Sequence, residues 1–168
     1  MKRPSSRGAS PSEDGRDLSH TKSSVEARSL APVQRRLSAI VPVEPRGRHE
    51  LVRLAAGLAP ALPGLIGELI ARQAEEMNIA PARVERVVVS VPDRGVIALV
   101  DDALVALACR GFLEIIGVRL NRAELRVAER IENDGNLAFF VISIARGHCL
   151  GVIGVPHVRS LMGAREAQ

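Results

Sequence analysis

Near position 50 the chain changes character, and that break limits what can fold. Residues 1–50 are rich in Ser, Pro, Arg and Gly and carry ten Lys or Arg against six Asp or Glu. Residues 51–168 are apolar and carry thirteen Arg against thirteen acids, so the formal charge of +4 belongs to the leader alone. A leader without a sustained apolar period cannot bury enough surface to offset the entropy of ordering, and disorder is expected over 1–48. Residues 49–168 are left as a single domain, large enough for one core. The leader's one apolar island, Leu37 to Val43, suits an added edge strand, a partner contact or a linker.

The same partition removes several chemistries. Lys2 and Lys22 are the only lysines, so the folded part has no amine for a Schiff base or a phosphate-binding loop. Phe112, Phe139 and Phe140 are the only aromatic residues, so the core must be Val, Ile, Leu and Ala. Stacking platforms for single-stranded nucleic acid are missing too, and no specific nucleic-acid partner is expected. The first thirty residues carry no apolar segment of signal-peptide type. The apolar stretch 54–67 is too short for a membrane span and contains Pro60 and Pro63. A cytoplasmic protein with Cys109 and Cys149 as reduced, buried thiols is the resulting expectation.

Along the chain, Leu51, Leu54, Ala55 and Leu58 are spaced for one helix face before Pro60 and Pro63 interrupt it. Gly64 to Met77 predicts a second helix. Val-rich 83–91, the turn Pro92-Asp93-Arg94-Gly95 and the run 95–100 predict a β-hairpin. Asp101-Asp102 reads as the cap of a helix from Ala103 to Ile116, apolar nearly all round, that ends at Gly117. Such a helix needs cover on two sides, and a second copy of the chain is the expected cover. Residues 123–131 alternate as a strand would, although their composition also suits a helix. Asn133-Asp134-Gly135-Asn136 favours the strand by offering a hairpin turn into 137–145. A last strand, 149–155, ends at Pro156, with a short helix from His157 to Ala164. The expectation is α+β: an antiparallel five-stranded sheet with helices on its faces, ordered α-β-β-α-β-β-β-α.

Three stretches, VERVVVSVPDRGVIALV, DDALVALACRGFLEIIG and HCLGVIGVPHVRSLMG, together with this order resemble the roadblock/LC7 domain, a profilin-like α/β sandwich. The resemblance covers about residues 50–168 and implies a two-fold dimer with a continuous sheet. It further implies a non-enzymatic adaptor for a small Ras-like GTPase or a larger assembly. The implied interface is Leu104, Leu107, Ala108, Phe112, Ile115 and Ile116 on the helix, with Leu125, Val127 and Ile131 along an edge strand. A subunit of a self-assembling shell, filament or secretion apparatus is the alternative, suited to a nearly neutral Val/Ala-rich body. A small enzyme using Cys149 or paired carboxylates is the third.

Catalytic signals are sparse. Cys149 beside His148, with His157 downstream, is the one nucleophile candidate, but neighbours on a strand face opposite ways. Asp93, Asp101 and Asp102 are explained by turns and capping. His20, His49, His148 and His157 are scattered without metal-ligand spacing. Gly147, Gly151 and Gly154 form no dinucleotide fingerprint. Arg94 and Arg146 lie in tight turns where an arginine finger would be mounted, and also where a solvated turn arginine sits. No catalytic residue, cofactor or metal is expected.

Overall fold

Strands buried on both faces read as continuous apolar runs, because neither side chain set meets water. Four segments of this chain have that character: GVIALV, ALVALAC, NLAFFVIS and HCLGVIGVP. In the computed structural model, which describes residues 36–157, they are the centre of a six-stranded antiparallel sheet. The elements are β1 (Ala39–Pro42), α1 (Arg48–Leu58), α2 (Leu65–Glu76), β2 (Val84–Val91), β3 (Gly95–Val100), β4 (Ala103–Cys109), α3 (Arg110–Ile115), α4 (Arg122–Asn133), β5 (Asn136–Ser143) and β6 (His148–Pro156). Strand order is β1-β6-β5-β4-β3-β2, with three tight hairpins and one connection, through α3 and α4, that links β4 to β5.

The sheet has a separate core on each face. On one side α1 and α2 pack Leu51, Leu58, Ile66 and Ile70 against Val96, Val105, Leu107, Phe139 and Ile153. On the other, α3 and α4 pack Phe112, Leu113, Ala128 and Ile131 against Ile97, Ala106, Ala108, Phe140 and Val152. Consecutive residues of β5 divide between the two cores, Phe139 to the first and Phe140 to the second, as the two-residue period of a strand requires. The layers approach closely at Gly151, where an added Cβ would lie 2.6 Å from both Leu51 Cδ2 and the Val41 carbonyl oxygen. Expectation and structure agree for α1, α2 and the β2–β3 hairpin, and for the prolines between α1 and α2. Ala59–Ala61 there form a 3₁₀ turn, and Gly64 at φ +92° restarts the helix.

Two elements differ from the sequence reading. Residues 103–109 are a strand, and only Arg110–Ile115 are helical. Asp101 and Asp102 are not a helix cap: at φ 49° and 61° they are the two-residue loop of a hairpin in which Val100 pairs with Ala103. The run is apolar all round because both sheet faces are covered by the same chain. Residues 122–133 are a helix, closed by a capping box: Asn121 Oδ1 accepts from Glu124 N–H at 2.9 Å, and Glu124 Oε2 accepts from Asn121 N–H at 2.8 Å. Asn133-Asp134-Gly135-Asn136 is that helix's C-terminus, with Gly135 at φ 79° and its N–H donated to the Glu132 carbonyl. The sixth strand is β1, drawn from the apolar island and paired with β6 from Ala39↔Gly154 to Pro42↔Gly151. Of the expected helix from His157 to Ala164, all but His157 lies outside the described residues.

Candidate functional site

Glu50 and Arg53 lie one turn apart on α1, where an (i, i+3) pair meets on the helix surface. Arg53 Nε and Nη2 donate to the two Glu50 carboxylate oxygens at 2.7 and 2.8 Å, and Nη2 also donates to Asp101 Oδ2 at 2.9 Å. The hydrogen bond from Arg53 holds the Glu50 carboxyl below its ordinary range, against the opposing effect of burial. Its own bonds to Glu50 and then Asp101 hold the Arg53 guanidinium further toward the charged form. Asp102 N–H donates to Glu85 Oε1 at 3.0 Å, so both residues of the left-handed loop are tied from outside it. Left-handed backbone on non-glycine residues costs about 1–3 kcal/mol each, which explains why the loop carries these anchors.

This network forms one wall of a cleft of about 250 Å³ at the end of the sheet. Leu54, Val100, Ala103, Val105 and Leu150 supply its apolar surface. Ser143, Arg146 and His148 complete it from the β5–β6 turn, which Gly147 closes at φ 56° by donating its N–H to the Ile144 carbonyl. Ser143 is the one buried polar side chain among the described residues. Arg146 and His148 are exposed, and Arg146 has no ion-pair partner among the described residues. A groove at Pro60, Leu62, Pro63 and Gly64, about 280 Å³, has Glu68 as its single charge. A smaller one, about 190 Å³, lies between β1 and the start of α4.

The structure separates the other residues singled out in the sequence. Cys149 is buried, its thiol donates to the Gly151 carbonyl at 3.5 Å, and desolvation, with the nearby Glu124 charge second, pushes its pKa up to about 12. Burial and a thiol held toward its neutral form both work against nucleophilic attack by Cys149. Asp93 is in the β2–β3 turn, at the opposite end of β3 from Asp101, so these carboxylates form no pair. No cluster of three or more His, Cys, Asp or Glu that could hold a metal occurs among the described residues.

The expected interface is not one surface. Leu104, Leu107 and Ala108 are on β4, and Leu107, Ala108, Phe112 and Ile131 are buried inside the same chain. Ile116, Leu125 and Val127 are partly covered, and Ile115 stands out at 70% exposure. Leu125, Val127 and Ile131 are on a helix, not an edge strand. Arg53 was missed by sequence reasoning; the Glu50-x-x-Arg53 spacing was its only local signal.

No family profile and no curated protein matches the chain. Solved structures do. One is a zinc-transporting PIB-type ATPase: TM-score 0.59, 23% identity, 71% of this chain and 18% of that one. Another is the isolated N-domain of HMA8, a copper-transporting P-type ATPase: TM-score 0.58, 18% identity, 71% of this chain and 98% of that domain. The N-domain of HMA6, also from a copper-transporting P-type ATPase, matches at TM-score 0.54 and 15% identity, over 71% of this chain and 96% of that domain. These likenesses overturn the roadblock reading and the GTPase-adaptor role it implied. The reason is visible in the elements, since that reading needed a helix at 103–109 and a strand at 123–131. The described domain has the fold of a P-type ATPase N-domain.

Proposed function

We propose that this domain is a nucleotide-binding module. The observation that carries the reading is the match to an isolated N-domain over 98% of that domain's length, because the N-domain is the nucleotide-binding part of such an ATPase. The chain corresponds to 18% of the zinc-transporting ATPase, and no described helix is long and apolar enough to cross a membrane. The proposal is confined to nucleotide binding by this domain.

The chemistry on hand limits the contacts. With no lysine in 51–168, arginine is the cationic side chain at hand for phosphates besides histidine, and the three phenylalanines, Phe112, Phe139 and Phe140, are buried and not available for stacking a base. Titration of the full chain with ATP and ADP, followed by amide chemical shifts, tests nucleotide binding. Saturable shifts confined to a few contiguous residues support it; no shift at about 10 mM nucleotide, a binding free energy weaker than roughly 3 kcal/mol, overturns it.

A further inference from the structure

We infer that the surface where the end of β1 meets the start of α4 docks on an anionic lipid bilayer, with Val43 entering the interface and Arg46, Arg48, Arg122 and Arg126 meeting the lipid phosphates. Val43 is 47% exposed, although its N–H donates to the Leu150 carbonyl at 3.0 Å. Its side chain is therefore presented from a strand end fixed to β6. Beside it runs the groove of about 190 Å³, whose apolar lining is Val41, Pro42, Ala123, Val127 and Val152. The turn after Val43 closes when Gly47 N–H donates to the Glu44 carbonyl at 2.8 Å, and it folds back so that a Cβ on Gly47 would lie 3.6 Å from that of Pro42. Arg46 in this turn therefore stands next to the groove. Arg122 stands there too, between the groove residues Asn121 and Ala123, and Arg126 follows one helical turn later.

These four arginines are exposed, and none of them forms an ion pair among the described residues. Arg122 and Arg126 share the outer face of α4, opposite buried Ala128 and Ile131, and like charges at this spacing repel one another. The acids nearby do not offset the four cations. Glu124 is engaged with the Asn121 N–H and acts on buried Cys149, and Glu44 is the one acid in the turn, so a positive surplus remains. An anionic bilayer complements both halves of this surface, because it offers phosphates to guanidinium forks and an apolar boundary to an exposed valine. A nucleic-acid backbone would meet the charges and leave Val43 and the groove unused. Its bases would also find no aromatic platform, since Phe112, Phe139 and Phe140 are buried. One valine and a few cations make a weak, reversible, salt-sensitive attachment, each arginine near an anionic surface strengthening binding roughly fivefold.

Co-sedimentation of the full chain with vesicles tests this, using phosphatidylcholine alone and phosphatidylcholine with about 30% phosphatidylserine, at about 0.1 M salt. Binding should require phosphatidylserine and disappear near 1 M salt, where screening is nearly complete. Arg122→Glu with Arg126→Glu should weaken it roughly twentyfold or more, because two attractions become repulsions. The same charge change made elsewhere, Arg72→Glu with Arg83→Glu on α2 and before β2, should leave it within about twofold. The basic leader is common to every variant, so the comparison isolates the patch. Val43→Asp, on β1's exposed end and away from the helix, should also weaken binding, and it keeps the question decidable if the α4 double variant fails to fold by circular dichroism. Absence of binding to the phosphatidylserine vesicles overturns the inference. So does equal loss in the control pair, full binding by Val43→Asp, or duplex DNA binding through Arg122 and Arg126 in place of vesicle binding.

Discussion

Two arginines show how differently the same side chain can be placed. Arg53 makes three hydrogen bonds at 2.7–2.9 Å and is partly solvated, so it ties α1 to the β3–β4 loop at little desolvation cost. Arg110 lies 3.5 Å from Glu132, outside good hydrogen-bond geometry, and its Nε and Nη2 are shielded from water with no hydrogen-bond partner. Leaving a donor unsatisfied costs about 1–3 kcal/mol, so Arg110→Met should be neutral or stabilising by up to about 1 kcal/mol in urea unfolding. A loss above about 2 kcal/mol would mean the guanidinium has a partner in solution. Cys149 gives the pH test. Its thiol pKa rises from an ordinary 9.0 to about 12 on folding, so the folded state holds its proton longer than the unfolded one. This contribution is full below pH 9 and is lost as pH climbs toward 12. In a Cys109→Ser background, stability should fall over that window and a Cys149→Ala change should flatten the fall; labelling of Cys149 at pH 8 should be slow until the chain unfolds. Cys149 itself was legible as a buried thiol, from its apolar run alone.

At the scale of elements, the two misread segments failed for different reasons. Asn121-x-x-Glu124 is a capping-box spacing, and Val127, Ala128 and Ile131 recur as one helix face, so α4 was written in the sequence. The Asn-Asp-Gly signal after it was stronger locally, and the same glycine preference serves a hairpin and a helix C-terminus. Asn121→Ala should cost about 1 kcal/mol and Gly135→Val more than Gly135→Ala, both read from thermal unfolding. For β4 no local signal decides. ALVALAC is seven apolar residues, a length that suits a strand and also a helix turn or two. What makes it extended is the ladder on both sides, to β3 from Val100↔Ala103 and to β5 from Val105↔Ser143.

The described residues form a sheet closed between two helical layers, and their stability is shared across both cores. Leu107 is fully buried beneath α1 and α2, so Leu107→Asp should unfold the chain, as circular dichroism at 25 °C would show, instead of only separating copies. Phe140 fills the second core, and Phe140→Ala should cost about 3–5 kcal/mol. Removing residues 36–43 uncovers the β6 edge and the Gly151 and Gly154 contacts, and a drop in Tm of about 5 °C or more is expected. By itself the sequence determined the α+β class, the helices at 48–76, the β2–β3 hairpin and the apolar strands β5 and β6. Those follow from turn residues and side-chain periods that act within a few positions. Only the tertiary structure decided that β4 is a strand, that the island at 37–43 joins the sheet, and that Glu50, Arg53, Asp101, Arg146 and His148 share one cleft. Each of these depends on partners far apart in the chain, such as Arg53 and Asp101 or Ala39 and Gly154, whose contact exists only once the sheet has closed.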